Sequence, residues 1–236
     1  MRVALSLVIS LVAAAAAAAG PAVLVEPGLR LPAAPRAGEV RVALTLDACG
    51  GATDMRVLSA LIDNRIPATI FATGIWLRRN PQAVAMLKAH AELFEIENHG
   101  ASHVPAVDRP LKVYGISSAG SAEGVAREVL GGAEALERAG LTRPRWFRGA
   151  TAKYTPSAVA EIERLGFRVA GFSINADGGS LLGAATTAHR VEAAGDGDVL
   201  IAHVNQPGHA AGAGLVKGLL ALSARGVTFV RLADVD

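Results

Sequence analysis

Two histidines four positions apart, His99 and His103, form the segment of this chain with the clearest chemical potential. They follow an apolar, strand-like run at residues 93–96. On a helix or a tight helical turn, residues four apart share a face, so both imidazoles could reach one metal ion. Imidazole binds zinc, copper, nickel and iron. Two polar loop histidines without a metal give the same spacing, so the surrounding groups must decide between the two interpretations.

Four further reactive side chains stand at or just after apolar runs: Asp47, Arg148, Asp177 and His203. Each has a plain alternative, such as a turn residue, a surface ion pair or a buried histidine with its hydrogen bonds satisfied. Together with the histidine pair they supply carboxylates, a guanidinium and a third imidazole, a combination that favours an active site.

The chemistry that these groups could perform is metal-assisted hydrolysis of an amide or ester. A divalent metal can acidify water and polarise a carbonyl oxygen. A carboxylate can accept the proton of the attacking water, and a histidine can protonate the departing atom. A guanidinium can hold the carboxylate ionised and oriented.

Seven strands must position these groups, because apolar runs alternate with helical patterns along the chain. Asp54, Asn80 and Ser121 are predicted helix N-caps. This alternation predicts a parallel α/β sheet covered by helices, as a distorted (β/α)7 barrel, with a doubly wound open sheet as the alternative. Functional groups of such folds lie at the carboxyl ends of the strands. The predicted strands are 40–47, 67–73, 93–98, 145–148, 168–174, 198–203 and 227–232.

The 236-residue chain begins with a short basic start and an apolar or small-residue run over residues 3–19. We expect residues 1–19 to be a signal peptide, 20–39 a linker or irregular lead-in, and 40–236 the catalytic domain. An uncleaved anchor helix is the alternative, although such a run is short for a bilayer core of ~30 Å. The expected location is periplasmic or secreted, without stable membrane insertion after cleavage.

The charges of the mature chain are scattered and nearly balanced. Loss of Arg2 with the signal leaves 22 basic and 21 acidic side chains, which does not indicate a nucleic-acid partner. Cys49 is the only cysteine, so the chain has no internal disulfide. The sequence leaves the oligomeric state open.

From residue 40 to residue 236 the chain resembles the polysaccharide deacetylase family, also called the NodB-homology or carbohydrate esterase 4 family. Five short motifs at strand ends carry the resemblance, in the order usual for the family. They are Thr45-Leu-Asp-Ala-Cys-Gly50 for the usual Thr-Phe-Asp-Asp-Gly, His99 to His103 for His-x-x-x-His, Trp146-Phe-Arg148, Ser173-Ile-Asn-Ala-Asp177, and Ile201-Ala-His203.

The resemblance implies a carbohydrate substrate and removal of an N-acetyl group from an amino sugar, with release of acetate. It implies that Asp47 is the general base and His203 the general acid. Arg148 would orient Asp47, and Asp177 would hold Arg148 or line the site. The two histidines of the second motif would bind a divalent metal ion, with zinc as the expected metal.

The first motif departs from the family because Ala48 stands where the family has a second, metal-binding aspartate. Asp54 is the first candidate for the missing ligand, although it could equally be only a helix N-cap. Cys49 is the second candidate, since thiolate suits zinc, although a small residue in a tight turn explains it too. Water could also complete the metal's coordination.

The third motif also departs, with Arg148-Gly-Ala-Thr151 in place of the usual Arg-Pro-Pro-Tyr. A backbone N–H near Thr151 could still stabilise an oxyanion, and Tyr154 could replace the missing aromatic residue. Aromatic residues for stacking on sugars are scarce, and the main ones are Trp76, Tyr114, Trp146 and Tyr154.

Two competing functions follow from these departures. A catalytically inactive carbohydrate-binding protein would explain the loss of the second aspartate, but it would not need Asp47, Arg148 and His203. A deacylase acting on O-acetyl esters or formamides would keep the hydrolytic chemistry and change the bond.

Overall fold

A computed structural model describes residues 23–34, 36 and 38–235 of the chain. The predicted signal peptide, residues 1–19, lies outside the described residues, as does the start of the predicted lead-in. No helix within the described ranges is long and apolar enough to cross a membrane.

The core of the fold is a curled parallel sheet that forms a half-barrel, which confirms the predicted distorted (β/α)7 architecture. The strand order is β7-β6-β3-β2-β1-β9-β8, with β10 also paired to β1, while β4 and β5 form a separate antiparallel hairpin. The strands of the described residues are β1 (Arg41–Ala48), β2 (Ala68–Ala72), β3 (Phe94–Asn98), β4 (Lys112–Val113), β5 (Ile116–Ser117), β6 (Trp146–Phe147), β7 (Arg168–Val169), β8 (Ile174–Asn175), β9 (Asp198–His203) and β10 (Thr228–Val230).

Helices cover the outer face of the sheet. Asp54 and Ser121 accept backbone N–H groups at the starts of α1 and α4, as their positions predicted. Asn80 precedes α3 without such a bond, because its Oδ1 accepts the backbone N–H and hydroxyl of Thr53 instead. The helices are α1 (Met55–Asp63), α2 (Gly74–Arg79), α3 (Pro81–Ala89), α4 (Ala122–Arg138), α5 (Pro156–Arg164), α6 (Ala184–Glu192) and α7 (Ala211–Ala224), with 3-10 turns at Ala150–Ala152 and Leu232–Asp234.

The central strand β1 is buried along its whole length. Its alternate residues Val42, Leu44, Leu46 and Ala48 pack in the apolar core together with residues of the helices. Side chains alternate between the two faces of a strand, so the residues between them face the inside of the half-barrel. This alternation sends Asp47 inward and Ala48 outward.

The strand predicted at 168–174 is broken into two pieces that lie at opposite edges of the sheet. Its first piece, β7, pairs with β6, and its second piece, β8, pairs with β9. The residues between them, 170–173, cross the open side of the curl. The carbonyls of Ala170 and Gly171 accept hydrogen bonds from the Arg148 guanidinium, at 3.3 and 2.9 Å. A buried side chain therefore satisfies backbone groups that an unbroken strand would pair with a neighbouring strand.

Residues 23–34, which we call the strap, are irregular and lie against this crossing. Val25 exchanges two backbone hydrogen bonds with Tyr154, and Leu29 N–H donates to the carbonyl of Phe172. A Cβ added to Gly171 would lie 2.2 Å from the carbonyl oxygen of Pro27. Only glycine therefore fits where the strap touches the broken strand.

Candidate active site

Five of the predicted site residues lie at the carboxyl ends of strands on one rim of the half-barrel. Asp47 of β1 and His203 of β9 are register partners on neighbouring strands, so their side chains point to the same face. His99 and Arg148 directly follow β3 and β6, and Asp177 follows β8 by two residues. Five side chains that are spread between positions 47 and 203 of the sequence thus lie together in the structure.

Arg148 is fully buried beneath Asp47 and holds it from one side. Its Nη1 donates to Asp47 Oδ1 at 3.0 Å and to the Thr45 hydroxyl at 2.9 Å. The guanidinium carbon lies 4.3 Å from the centre of the Phe71 ring, which is a cation–π contact. Together with the two carbonyls of the broken strand, these contacts leave the guanidinium little freedom. The structure thus gives Arg148 the orienting position that the resemblance implies.

The surroundings of Asp47 favour its ionised form. Burial alone would raise the pKa of this carboxyl group. The positive charges of His99, Arg148 and His203, together with the Arg148 hydrogen bond, outweigh burial and lower the pKa below its ordinary value. Asp47 is therefore a carboxylate at neutral pH.

Asp177 pairs with His203 and not with Arg148, so of its two expected positions it takes the one that lines the site. The Nδ1 of His203 lies 3.1 Å from both carboxylate oxygens of Asp177, which is buried. Burial lowers the pKa of His203, but the hydrogen bonds with Asp177 and Cys49 outweigh it and raise the pKa well above the ordinary value. With Nδ1 bound to Asp177, Nε2 is the atom that can exchange a proton with a substrate.

Cys49, His99 and His103, which we call the Cys–His–His group, offer three ligand atoms that all lie within 4.8 Å of one another. The Nδ1–H of buried His99 donates to the Arg148 carbonyl at 2.6 Å. This bond turns His99 Nε2 toward Cys49 Sγ at 3.5 Å and Asp47 Oδ2 at 3.8 Å. Two imidazoles and a thiol are a donor set that suits zinc-like metals. The residues present therefore fit a divalent metal ion.

The imidazoles around Cys49 strongly affect the pKa of its thiol. Burial raises the pKa of Cys49, but hydrogen bonds with His103, His203 and His99 outweigh burial and lower the pKa well below its ordinary value. The three imidazoles therefore favour the thiolate form of this side chain.

The two histidines of the second motif share a loop rather than the helical turn that their spacing suggested. Gly100 has a φ of +93° and His103 a φ of +60°. The buried carboxylate of Glu128, on α4, accepts the backbone N–H groups of Ser102 and Val104 at 2.9 and 3.0 Å. A Cβ at Gly100 would lie 2.3 Å from the same carboxylate. Glu128 thus holds the backbone on both sides of His103 and so positions this residue.

Asp54, the first candidate for the missing metal ligand, is the helix cap of the alternative interpretation. Its Oδ1 accepts the backbone N–H and the Nε–H of Arg56 at 3.1 and 2.8 Å, and its Oδ2 accepts Nη2 at 2.6 Å. Both carboxylate oxygens are therefore occupied by the start of α1. Among the described residues, the structure places Cys49 and not Asp54 with the two histidines.

The third-motif loop is held by Tyr154 from the inside. The Tyr154 hydroxyl accepts the backbone N–H of Gly149 at 2.7 Å, and the ring is fully buried. Thr151 has a φ of +71°, in the left-handed region. Tyr154 thus takes a structural position in the loop and does not face a substrate.

The four aromatic side chains considered for sugar stacking separate into two groups. Trp76, Trp146 and Tyr154 are buried in the core. Tyr114, at the tip of the β4–β5 hairpin, is 75% exposed. Of these four residues, Tyr114 alone is available to a ligand at the surface.

A cavity of about 470 Å³ lies away from this chemistry. Glu95, Glu97, Arg145 and their neighbours line it where β3 and β6 diverge, and none of the rim residues contributes to its wall. This cavity is therefore not part of the candidate active site.

Sequence reasoning ranked Cys49 below Asp54 and did not single out Glu128. The signal for Cys49 was available, because strand alternation turns residue 48 outward and brings residue 49 back to the side of Asp47. No comparable signal marked Glu128, since a glutamate in a long helix usually faces solvent.

Comparison with known proteins gives a consistent family and fold. The family described as polysaccharide deacetylase matches residues 35–170. No curated protein matches the chain. Among solved structures, the peptidoglycan deacetylase PdaC from Bacillus subtilis is 20% identical, with a TM-score of 0.66 over 84% of this chain and 90% of that one.

Two further solved structures show the same fold. PdaA from Bacillus subtilis, a family 4 carbohydrate esterase, is 19% identical, with a TM-score of 0.69 over 88% of this chain and 83% of that one. BA3943 from Bacillus anthracis, a CE4 family pseudoenzyme, is 17% identical, with a TM-score of 0.67 over 85% of this chain and 66% of that one. A mutant of that pseudoenzyme has restored enzymatic activity.

Proposed function

The chain belongs to the polysaccharide deacetylase family, and from this premise we propose that it is a metal-dependent hydrolase. Its proposed reaction removes N-acetyl groups from the amino sugars of a poly- or oligosaccharide and releases acetate. The observation that carries the proposal is the pairing of Asp47 and His203 across neighbouring strands, each held by its own buried partner, beside the Cys–His–His group.

The proposed base, Asp47, and the proposed acid, His203, lie on neighbouring strands of this rim and favour opposite charges. Asp47 Oδ1 is engaged by Arg148, which leaves Oδ2 to accept the proton of the attacking water. Protonated His203 can donate from Nε2 to the leaving amine nitrogen, while Asp177 stabilises the imidazolium. Binding alone would not require either group to be held in a defined charge state.

A divalent ion held by His99 and His103 would supply a Lewis acid for the acetyl carbonyl and lower the pKa of a water molecule. We propose zinc as this ion, because imidazole nitrogens are typical zinc ligands. The hydrogen bond from His99 Nδ1 to the Arg148 carbonyl orients the ring for this task.

The proposal is tested by measuring acetate release from N-acetylated chito-oligosaccharides and peptidoglycan fragments. The protein is first stripped with a chelator and then supplied with zinc. Asp47→Asn should lower release by about 10²–10⁴-fold, whereas Asp63→Asn, which changes an exposed carboxylate at the end of α1, should leave it unchanged. The absence of acetate with every metal and substrate tried would reject the proposal.

A catalytically inactive carbohydrate-binding protein is a second candidate, and Ala48 is the observation that favours it. One structural relative that shares this fold is a pseudoenzyme. Tight binding of oligosaccharide without turnover in the same assay would support this candidate. Acetate release from O-acetyl esters alone, or hydrolysis of formamides alone, would instead indicate a deacylase of different bond preference.

We also propose that the protein acts in the periplasm or outside the cell, after cleavage of residues 1–19. Cell fractionation and sequencing of the mature N-terminus test this location. Mature protein that begins near residue 20 in the periplasmic or extracellular fraction would support it, and full-length protein in the cytoplasm would contradict it.

A further inference from the structure

We propose that Cys49 is the third protein ligand of the metal centre and that its sulfur makes the centre selective for zinc-like ions. This inference deepens the proposed function, since it rests on the same two histidines as ligands. Its consequence is a preference for zinc or cobalt over magnesium, calcium and manganese, which favour oxygen ligands.

The spacing of the group matches a tetrahedral site that contains sulfur. Zinc lies ~2.3 Å from sulfur and ~2.0 Å from nitrogen, so the S···N edge of a tetrahedron is about 3.5 Å. The observed distance from Cys49 Sγ to His99 Nε2 is 3.5 Å. The remaining separations, to the His103 imidazole, are within 4.8 Å.

The direction of the strand explains why residue 49 takes this position. The side chain of Ala48 points outward and packs in the apolar core with the helices. A ligand at residue 48 would therefore point away from the two histidines. Cys49 lies one step further along the chain and returns to the inner side, where Asp47 lies. A thiolate also carries the negative charge that a carboxylate ligand would carry.

The loop that follows β1 is anchored on both sides, so the sulfur is held in place before any ion binds. The Thr73 hydroxyl donates to the carbonyl of Cys49. Arg79 Nη1 donates to the Gly50 carbonyl at 3.0 Å, and Asn80 Nδ2 donates to the Gly51 carbonyl at 3.1 Å. Ligands held in advance by other hydrogen bonds are the pattern expected of a metal site.

Cobalt(II) titration of the chelator-stripped, full mature protein tests the inference directly. Thiolate bound to cobalt gives an ultraviolet charge-transfer band, and Cys49 is the only cysteine of the chain, so any such band reports this side chain. The wild type should show the band at one equivalent. Cys49→Asp should bind cobalt without the band, and Cys49→Ala should bind it about tenfold or more weakly.

Two control variants show whether the band belongs to the proposed site. His99→Ala should lose both the band and tight binding. Ser102→Ala changes an exposed residue between the two histidines and should retain both. Circular dichroism of each variant separates loss of a ligand from loss of the fold.

Thiol labelling gives a second readout that does not depend on spectroscopy or turnover. A disulfide reagent should react with Cys49 in the stripped protein, and one equivalent of zinc should block the reaction. Magnesium or calcium at the same concentration should leave labelling unchanged.

The outcomes separate this inference from the proposed function. Metal binding at His99 and His103 with no charge-transfer band and no protection of the thiol would overturn the role of Cys49, while acetate release would still support the deacetylase. A band without acetate release would overturn the deacetylase and leave the sulfur ligand standing.

Discussion

Each of the two reactive side chains on the rim is hydrogen-bonded to one buried partner that favours its charged form. Arg148 contributes to lowering the pKa of Asp47, and Asp177 contributes to raising the pKa of His203. Neither partner needs to touch the substrate, so variants at either position should affect catalysis through the group that it supports.

Asp47→Asn keeps the size and shape of the side chain but removes the proposed base. We expect acetate release to fall by about 10²–10⁴-fold, the range typical of a general base. Metal content should not change, because Asp47 lies outside the Cys–His–His group. Parallel measurement of kcat and of bound metal checks this result, and a variant with wild-type kcat would refute the assignment of Asp47 as base.

Asp177→Asn should shift the pH dependence of kcat. A general acid must be protonated, so activity is lost as the pH rises through the pKa of His203. Asp177 raises that pKa, so the amide variant should lose activity at a lower pH than the wild type. The pH profile of kcat between pH 6 and 10 measures the shift, and an unmoved alkaline limb would mean that another group is the acid.

At the scale of the strands, one carboxyl group holds β3 and β6 together where they are not paired. The described parts of these two strands share one ladder pair, Asn98 with Phe147. Below it, Glu97 Oε2 accepts the backbone N–H groups of Arg145 and Trp146 at 2.9 and 2.8 Å. The side chain thus replaces the hydrogen bonds that a longer β3–β6 ladder would make.

Glu97 makes the stability of the fold depend on pH. Burial, with a contribution from the charge of Glu95, raises the pKa of Glu97 from 4.5 to about 8. The folded protein therefore holds a proton that the unfolded chain releases at lower pH. The free energy of unfolding should fall as pH rises from about 4.5 to about 8, by a few kcal/mol at ~1.4 kcal/mol per pKa unit.

Glu97→Gln tests this pH dependence, because the amide keeps an acceptor for the two N–H groups and does not titrate. Urea unfolding at pH 5 and pH 9 should show a smaller difference for the variant than for the wild type. An equal difference in the two proteins would place the titrating group elsewhere.

The β4–β5 hairpin contains a tyrosine in an unfavourable backbone conformation. Tyr114 and Gly115 have φ values of +49° and +82°, which are typical of a two-residue type I′ turn. Asparagine tolerates this region better than tyrosine. We expect Tyr114→Asn to stabilise the fold by about 0.5–1 kcal/mol and Tyr114→Val to destabilise it, as thermal melting would show; the reverse order would contradict the turn assignment.

The central strands could be predicted from the sequence because their apolar runs are local and continuous. The break between β7 and β8 could not, since residues 168–174 form one such run. Two features that are distant in sequence divide β7 from β8. One is the strap, which contacts Gly171, and the other is the guanidinium of Arg148. The sequence pattern does not reveal the short helix α2 for a local reason, because its cap, Thr73, also continues the strand-like run that precedes it.

The site residues could be named from the sequence, but several of their partners could not. Motif order pointed to Asp47, His99, Arg148 and His203, and the structure places all four on one rim. The choice between Asp54 and Cys49, and the pairing of Asp177 with His203, depend on side-chain direction. Strand alternation gives that direction only when the end of the strand is known to within one residue.

For the molecule as a whole, a metal ion would add a direct link between two loops that are distant in sequence. The Cys–His–His group comes from the loop after β1 and the loop after β3. An ion that binds only the folded state at 100 times its dissociation constant stabilises that state by about 2.7 kcal/mol. For a chain of this size we expect zinc to raise the Tm by roughly 5–10 °C.

Thermal melting with zinc and with excess chelator measures this difference. His99→Ala should show nearly the same Tm in both conditions. A large zinc effect in that variant would mean that the ion stabilises the protein at another place.

The strap has a practical consequence for anyone who prepares this protein. The family match begins at residue 35, so a recombinant version trimmed to that boundary would lack Val25 and Leu29 and their backbone bonds to Tyr154 and Phe172. Such a version would expose residues 170–173, which cross the open side of the sheet. It would also weaken the position of the carbonyl groups in this segment that accept hydrogen bonds from Arg148. Weak activity in it would therefore report a damaged scaffold, and expression should start upstream of residue 23.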